Sequence, residues 1–397
     1  ILDYIITSAQ GLDLVGIYSS GYIYTGFANS LGQTNWHSNF SFSFDYSIYN
    51  ENNNAINVQA HLHHQYFLGL QLMVAVEKGP SIVGDWIFRL FRKQHNEKFL
   101  SSFEKLGLRE LPHAVACAKY HVLSNNVGGV GVEFMAETEK KAWLRFRYPR
   151  WMYDGPAICG IPVEASRGFL KGWYAQNGVT LKNPRLGFVC VSEDLTGQFG
   201  FCGYFKEYDH DLSPEQRLQF APAEAVPIFD FTQQPSPPGG EWNELRLIKA
   251  NRNYAVEYIR NGMRALIEVL GRSRAEELAQ RSARLIGLQH YPRMAQQVGA
   301  VDGDVADVAK FLVDIMSGMG DHCSLETQSD GSMVMTQTGL NVVRDIEGDD
   351  RLSLLLVWIE LWRGAVHSHR AFMDVQCEVA ADHLRWRIQA SSAVPQA

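Results

Sequence analysis

The sequence predicts an α+β protein on three observations. Helical and strand-like periodicities fall in separate blocks, the strand-like blocks come in hairpin pairs, and one order of blocks occurs twice. In the helical blocks apolar residues recur at spacings of three and four, as in Trp86, Leu90, Phe91, Phe99, Leu100 and Phe103. In the strand-like blocks they alternate, as in Phe40, Phe42, Phe44, Tyr46 and Ile48. With 46% hydrophobic, 20% charged and 12% aromatic residues, the 397-residue chain reads as globular. At about 150 residues each, it has room for two or three domains.

The elements follow in order. Residues 12–49 read as a β-meander of about three strands, ending in the alternating strand Phe40–Ile48. The polar run Glu51–Gln59, with three consecutive asparagines, reads as a linker, which places a boundary near Asn57 and makes 1–57 a β-ribbon. From His61 to Asn126 the pattern is helical, punctuated by Pro80 and Gly107. A hairpin (GVGVEFMAE and KKAWLRFRYP), a helix over 163–176 and a second hairpin (RLGFVCVSE and GQFGFCGYF) come next. The run TQQPSPPGGE at 232–241 has the composition of a linker. Beyond it lie an amphipathic helix, Asn251–Gly271, and a helix for which Ser273 and Glu276 have capping-box spacing. More helix to Met319, a hairpin about Ser-Asp-Gly, the helix LSLLLVWIELWRGAVHSH and the hairpin FMDVQCEVAADHLRWRIQ complete the order, with 392–397 as a disordered tail. Trp173 precedes Cys190 by 190 − 173 = 17 residues, and Trp362 precedes Cys377 by 377 − 362 = 15. The repeated order and near-equal spacings predict an internal duplication, with halves 58–231 and 242–391 packed as a pseudo-dimer.

Charge and composition narrow the function. The chain has 36 Lys and Arg against 43 Asp and Glu, a net charge of −7, which argues against a broad nucleic-acid or anionic-membrane surface. The longest apolar stretch, Tyr66–Val76, is broken by Gly69 and Gln71 and is shorter than the ~20 residues of a membrane span. Six cysteines without a CxxC pair read as reduced thiols in a cytoplasmic compartment. Ile1 in place of Met, without a signal-peptide pattern, reads as a fragment or a processed product.

Residues 10–50, above all GFANSLGQTNWH, resemble the TldD/TldE (PmbA) metallopeptidase-related family. The zinc peptidase of that family uses an HExxxH helix, and neither HExxxH nor HExxH occurs in this sequence, so the resemblance implies a non-catalytic scaffold segment. Residues 255–388 are similar, in element order and in the ending MDVQCEVAADHLRWRI, to the L-2-amino-thiazoline-4-carboxylic acid hydrolases and the 4-vinyl reductase-type ligand-binding domains. Metal-binding versions of the latter carry a second cysteine eight residues after the first. The position eight after Cys377 is Arg385, so no metal is expected. These resemblances imply a hydrolase opening a cyclic C=N or amide-like bond, a non-catalytic sensor-like binding module, or a remnant of a TldD/TldE protein.

Cys159, in AICGIP, precedes the helix that begins after Pro162, where the helix dipole favours a thiolate; it is the candidate nucleophile, against the alternative of a small buried residue at a turn. Arg150 is the candidate anchor for a substrate carboxylate. Trp151, Trp173, Cys190, Trp362 and Cys377 complete the candidate ligand-binding set, with core packing as the alternative for both cysteines. His61, His63 and His64 read as a polar helix start or loop, and His367 and His369 as facing a helix dipole or solvent. Neither set has metal-ligand spacing. The expected partner is a small-molecule ligand with no cofactor; a homo-oligomer is compatible with the sequence.

Overall fold

The computed structural model describes residues 3–9, 12–19, 22–28, 34–36 and 47–391, apart from 149, 197, 199, 223, 240–241, 301–302 and 370–371; up to residue 52 and at Trp151 it describes backbone alone. The chain divides into two compact units, 1–51 and 52–397.

The first unit contains an antiparallel meander in the order β1 (Asp3–Ala9), β2 (Leu12–Ser19), β3 (Tyr22–Ala28), β4 (Thr34–Trp36). Of the expected strand Phe40–Ile48, residues 40–46 lie outside the described residues, and Ser47 and Ile48 open a helix.

That helix, α1 (Ser47–Lys78), also absorbs the run Glu51–Gln59 expected as a linker. No Gly or Pro interrupts the chain between Ser47 and Leu68, and Ala55, Ile56 and Val58 are buried. Burial of these apolar positions overrides the weak helix propensity of the asparagines. His63 and His64, expected at a polar helix start, are buried in mid-helix. Gly79, at φ 85°, ends α1, and Pro80 opens α2 (Pro80–Lys105), where its missing N–H costs no helical bond. Next come α3 (His113–Val127), β5 (Val132–Thr138), β6 (Lys141–Phe146), α4 (Val163–Gly172), the single turn α5 (Asn177–Thr180), β7 (Leu186–Ser192), β8 (Cys202–Glu207) and β9 (Leu218–Phe220).

The remainder is α6 (Glu244–Leu270), α7 (Arg272–Gln297), α8 (Val305–Met319), β10 (His322–Thr327), β11 (Met333–Thr338), α9 (Gly348–His367), β12 (Met373–Val379) and β13 (His383–Ala390). The expected Ser273–Glu276 capping box does not form. Gly271, at φ 77°, is the N-cap, which leaves Ser273 inside α7; a capping box occurs instead at α8, between Asp304 and Asp307. The fold is α+β, with a five-stranded sheet β5-β6-β8-β7-β9, antiparallel except for β7 with β9, and an antiparallel four-stranded sheet β10-β11-β13-β12.

The first four strands of the larger sheet and the four of the smaller have the same order. Helix α2 packs on α4, and α7 on α9. Helices α3 and α8 begin 305 − 113 = 192 residues apart, and strands β6 and β11 begin 333 − 141 = 192 apart. The same shift carries the whole of α2 onto α7 and Gly79 onto Gly271. The first helix of each half also reaches the other half. Glu77 on α1 pairs with Arg274 and Arg281 on α7, while Trp86 on α2 donates its Nε1–H to the Gly262 carbonyl of α6 at 2.8 Å. One apolar core runs from Ala55 to Ile388 through both halves. The outer face of the larger sheet buries Met135, Trp143, Val189, Val191, Cys202 and Tyr204 beneath Ala221 and Phe229.

The Pro/Gly-rich stretch begun at Thr232 is tied to this sheet. The Phe134 N–H donates to Gln234 Oε1 at 2.9 Å, and Gln234 Nε2 donates to the Val132 carbonyl at 2.6 Å. These amide bonds occupy backbone groups along the outer edge of β5 and so protect an otherwise open strand. The predicted tail, 392–397, lies outside the described residues.

Candidate functional site

A cavity of about 340 Å³ opens between α2, α3, α4 and α6, within the size range of small-molecule sites. Helical periodicity places its lining. On α2, Phe91, Lys98, Ser102 and Lys105 follow one stripe, and on α3 Tyr120, Ser124 and Val127 follow another. Phe169 and Trp173 come from α4 and the residue after it, Trp242 from just before α6, and Arg246 and Tyr254 from α6 itself. Phe91, Tyr120, His121 and Phe169 are buried and form the deep end; Lys105, Pro238 and Arg246 are exposed and mark the mouth.

The deep wall is made of rings in edge-to-face order. Phe91 lies 4.6 Å from Phe169 and 6.3 Å from Trp173, both near perpendicular. His121 packs parallel to Tyr174 at 3.9 Å and to Phe205 at 5.4 Å, with Nε2 2.9 Å from the Asn177 amide. Burial holds its pKa well below the usual histidine value, so it is a neutral wall element. His95 stacks on Phe99, bonds Thr180 Oγ1 at 2.9 Å, and is held by burial at about 3. Ser102 and Ser124 lie near the buried Tyr120 hydroxyl, whose pKa burial raises. Trp173 Nε1 is a buried donor without a partner among the described residues.

The mouth is cationic. The lining contains Lys98, Lys105 and Arg246 and no carboxylate. Lys98 is paired with Glu257 at 3.0 Å, and the Arg246 guanidinium lies 4.6 Å over the Trp242 ring.

At the matched positions of the second half the residues differ. The 192-residue shift sets Met294, Leu312 and Met316 against Ser102, Tyr120 and Ser124. All three are buried, and a separate void of about 10 Å³ lies between α1, α6, α7 and α9.

Of the residues expected to bind ligand, Trp173 lines the cavity. Arg150 does not: it is buried against Asp194, with the Phe146 ring 4.2 Å from its guanidinium, so its charge is already met inside the protein. The Trp151 side chain lies outside what is described. Cys190 is buried in β7, where desolvation raises its pKa. Trp362 is fully buried on α9. Cys377, in β12, is half-buried and its thiol is pushed up to about 12 by burial. Cys159 is exposed on the short 3-10 turn Gly155–Cys159 and does not line the cavity. His369, expected to face a dipole or solvent, is buried past the end of α9, where its Nδ1 meets the Tyr291 hydroxyl and its Nε2 lies 3.0 Å from the Gly303 carbonyl. Among the described residues no three His, Cys, Asp or Glu side chains cluster as a metal site requires.

Sequence reasoning missed Ser102, Tyr120, Ser124, Arg246 and Tyr254. The signal that finds the first three is the comparison of the halves, in which each is polar where its counterpart is apolar.

No family model and no curated protein matches the chain. Among solved structures it is similar to an H-NOX protein from S. oneidensis in the Fe(II)NO ligation state, at 12% identity over 33% of this chain and 76% of that one, with a TM-score of 0.23. A likeness of that degree defines neither a common fold nor a common ligand. Among the described residues no helix is long and apolar enough to cross a membrane.

Proposed function

We propose that the chain is a small-molecule-binding protein whose ligand occupies the cavity between α2, α3, α4 and α6, and that it binds rather than turns over that ligand. The observation that carries this reading is the cavity itself, ring-lined, with the unpartnered Trp173 Nε1–H in its wall. Binding is favoured over hydrolysis because the candidate nucleophile, Cys159, is on the surface and outside the lining, and His121 and His95 are already engaged in the wall. The two halves are, in this reading, copies of one ancestral unit of which the first kept an open cavity. The equal lengths and constant 192-residue shift of α2 with α7 and α3 with α8 support this.

The test is calorimetric titration with a panel of naphthalene, indole and quinoline derivatives into the wild type and Ser124→Trp, which fills the cavity. Saturable 1:1 binding is expected in the wild type and its loss in a variant that keeps the wild-type circular dichroism. Ser102→Trp supplies a second filling should the first not fold. Undiminished binding in folded variants, or no binding by any member of the panel, contradicts the proposal.

A further inference from the structure

We infer that the cavity takes a flat aromatic acid, with its rings among Phe91, Phe169 and Trp173 and its carboxylate at the mouth between Lys105 and Arg246. This rests on the cavity being a binding site and adds the chemical class of its ligand.

Two separate features carry the assignment. The first is the shape chemistry of the deep wall. Phe91, Tyr120, His121, Phe169, Trp173 and Tyr254 offer ring faces and edges, and an aromatic guest continues the edge-to-face order already present there. The second is the charge at the mouth. In a chain of net charge −7, a lining with three cations and no carboxylate is a local reversal of sign. Glu257 neutralises Lys98, whereas no ion pair holds Lys105 or Arg246 among the described residues. Stacking on Trp242 confines the Arg246 guanidinium at the rim, where its fork suits a carboxylate. The 192-residue shift sets Gln297 against Lys105 and Asn54 against Arg246, so neither charge is repeated at its matched position.

The experiment compares 2-naphthoate with its neutral analogue 2-naphthamide by calorimetry at low salt, in the wild type and in the Lys105→Gln/Arg246→Gln double variant. Both substitutions are at exposed positions and leave the core untouched. The acid is expected to bind about tenfold more tightly than the amide, the combined effect of two solvent-screened charges. In the double variant that preference falls to within about twofold while the amide keeps its affinity. Equal affinity for the two probes in the wild type, or a preference that survives in the double variant, overturns the assignment of an acid. If neither naphthalene probe binds while other neutral members of the panel do, the aromatic acid is lost and the cavity stands. If nothing binds, or Ser124→Trp leaves binding intact, the cavity reading falls with it.

Discussion

At the scale of single residues, the buried histidines set how the protein responds to acid. Burial lowers His63, His64 and His95 to about 3 and His61 to about 4, from an ordinary value of 6.5. The unfolded chain therefore binds more protons than the folded one between these values, so stability is full above pH 6.5 and is lost as pH falls toward 3. Asp321 acts in the opposite direction. Desolvation raises it from 3.8 to about 6, so its ionisation costs stability as pH rises through that window. Four histidines outweigh one aspartate, and the urea midpoint is expected to be lower at pH 5 than at pH 7.5; an equal or higher midpoint at pH 5 contradicts the assignment of neutral buried rings. His63 offers a sharper test, since both its ring nitrogens lack partners among the described residues and the Trp358 ring is 5.2 Å away. His63→Phe removes those unmet groups at similar volume, and equilibrium unfolding should show a gain of about 1 kcal/mol at pH 7. By contrast, Asp194→Ala leaves the Arg150 charge buried without its partner and should cost about 3–5 kcal/mol by the same measurement. A loss below about 1 kcal/mol would show that Arg150 does not depend on Asp194.

At the scale of elements, the two matched helix pairs depend on glycine at their crossings. A Cβ on Gly172 of α4 would stand 2.6 Å from the Phe88 carbonyl oxygen of α2, and one on Gly364 of α9 would strike the Arg284 carbonyl of α7. Gly172→Val and Gly364→Val must each separate a helix pair, so each is expected to cost about 3 kcal/mol or more in chemical denaturation. A cost under about 1 kcal/mol would mean that the crossings are looser than described. This scale also shows what was legible in the sequence. The hairpins β5–β6, β7–β8, β10–β11 and β12–β13 could be read because alternation and turn residues act within a few positions. The start of α1 could not, because its asparagines favour a turn locally and only the burial of Ala55, Ile56 and Val58 against distant segments makes them helical. Trp173 stood out by its spacing to Cys190, whereas Ser102, Tyr120 and Ser124 are ordinary helix residues until four helices converge about them. The pairing of Arg150 was hidden for the converse reason, since its partner Asp194 lies 44 residues away and no local pattern joins them.

At the scale of the whole molecule, the second unit holds two sheets of matching strand order and two matched helix pairs around one core, and the cavity opens between α2, α3, α4 and α6. Ser102, Tyr120 and Ser124 line it, and at the matched positions of the other half Met294, Leu312 and Met316 are buried. A site of this kind predicts a one-sided response to ligand. The most direct measurement is hydrogen–deuterium exchange with and without the best-binding member of the aromatic panel. Slower exchange in Phe91–Leu106, Tyr120–Val127 and the first turns of α6, with Val305–Met319 unchanged, is the predicted result. Protection equal in both halves, or confined to segments that do not line the cavity, would contradict the placement of the ligand.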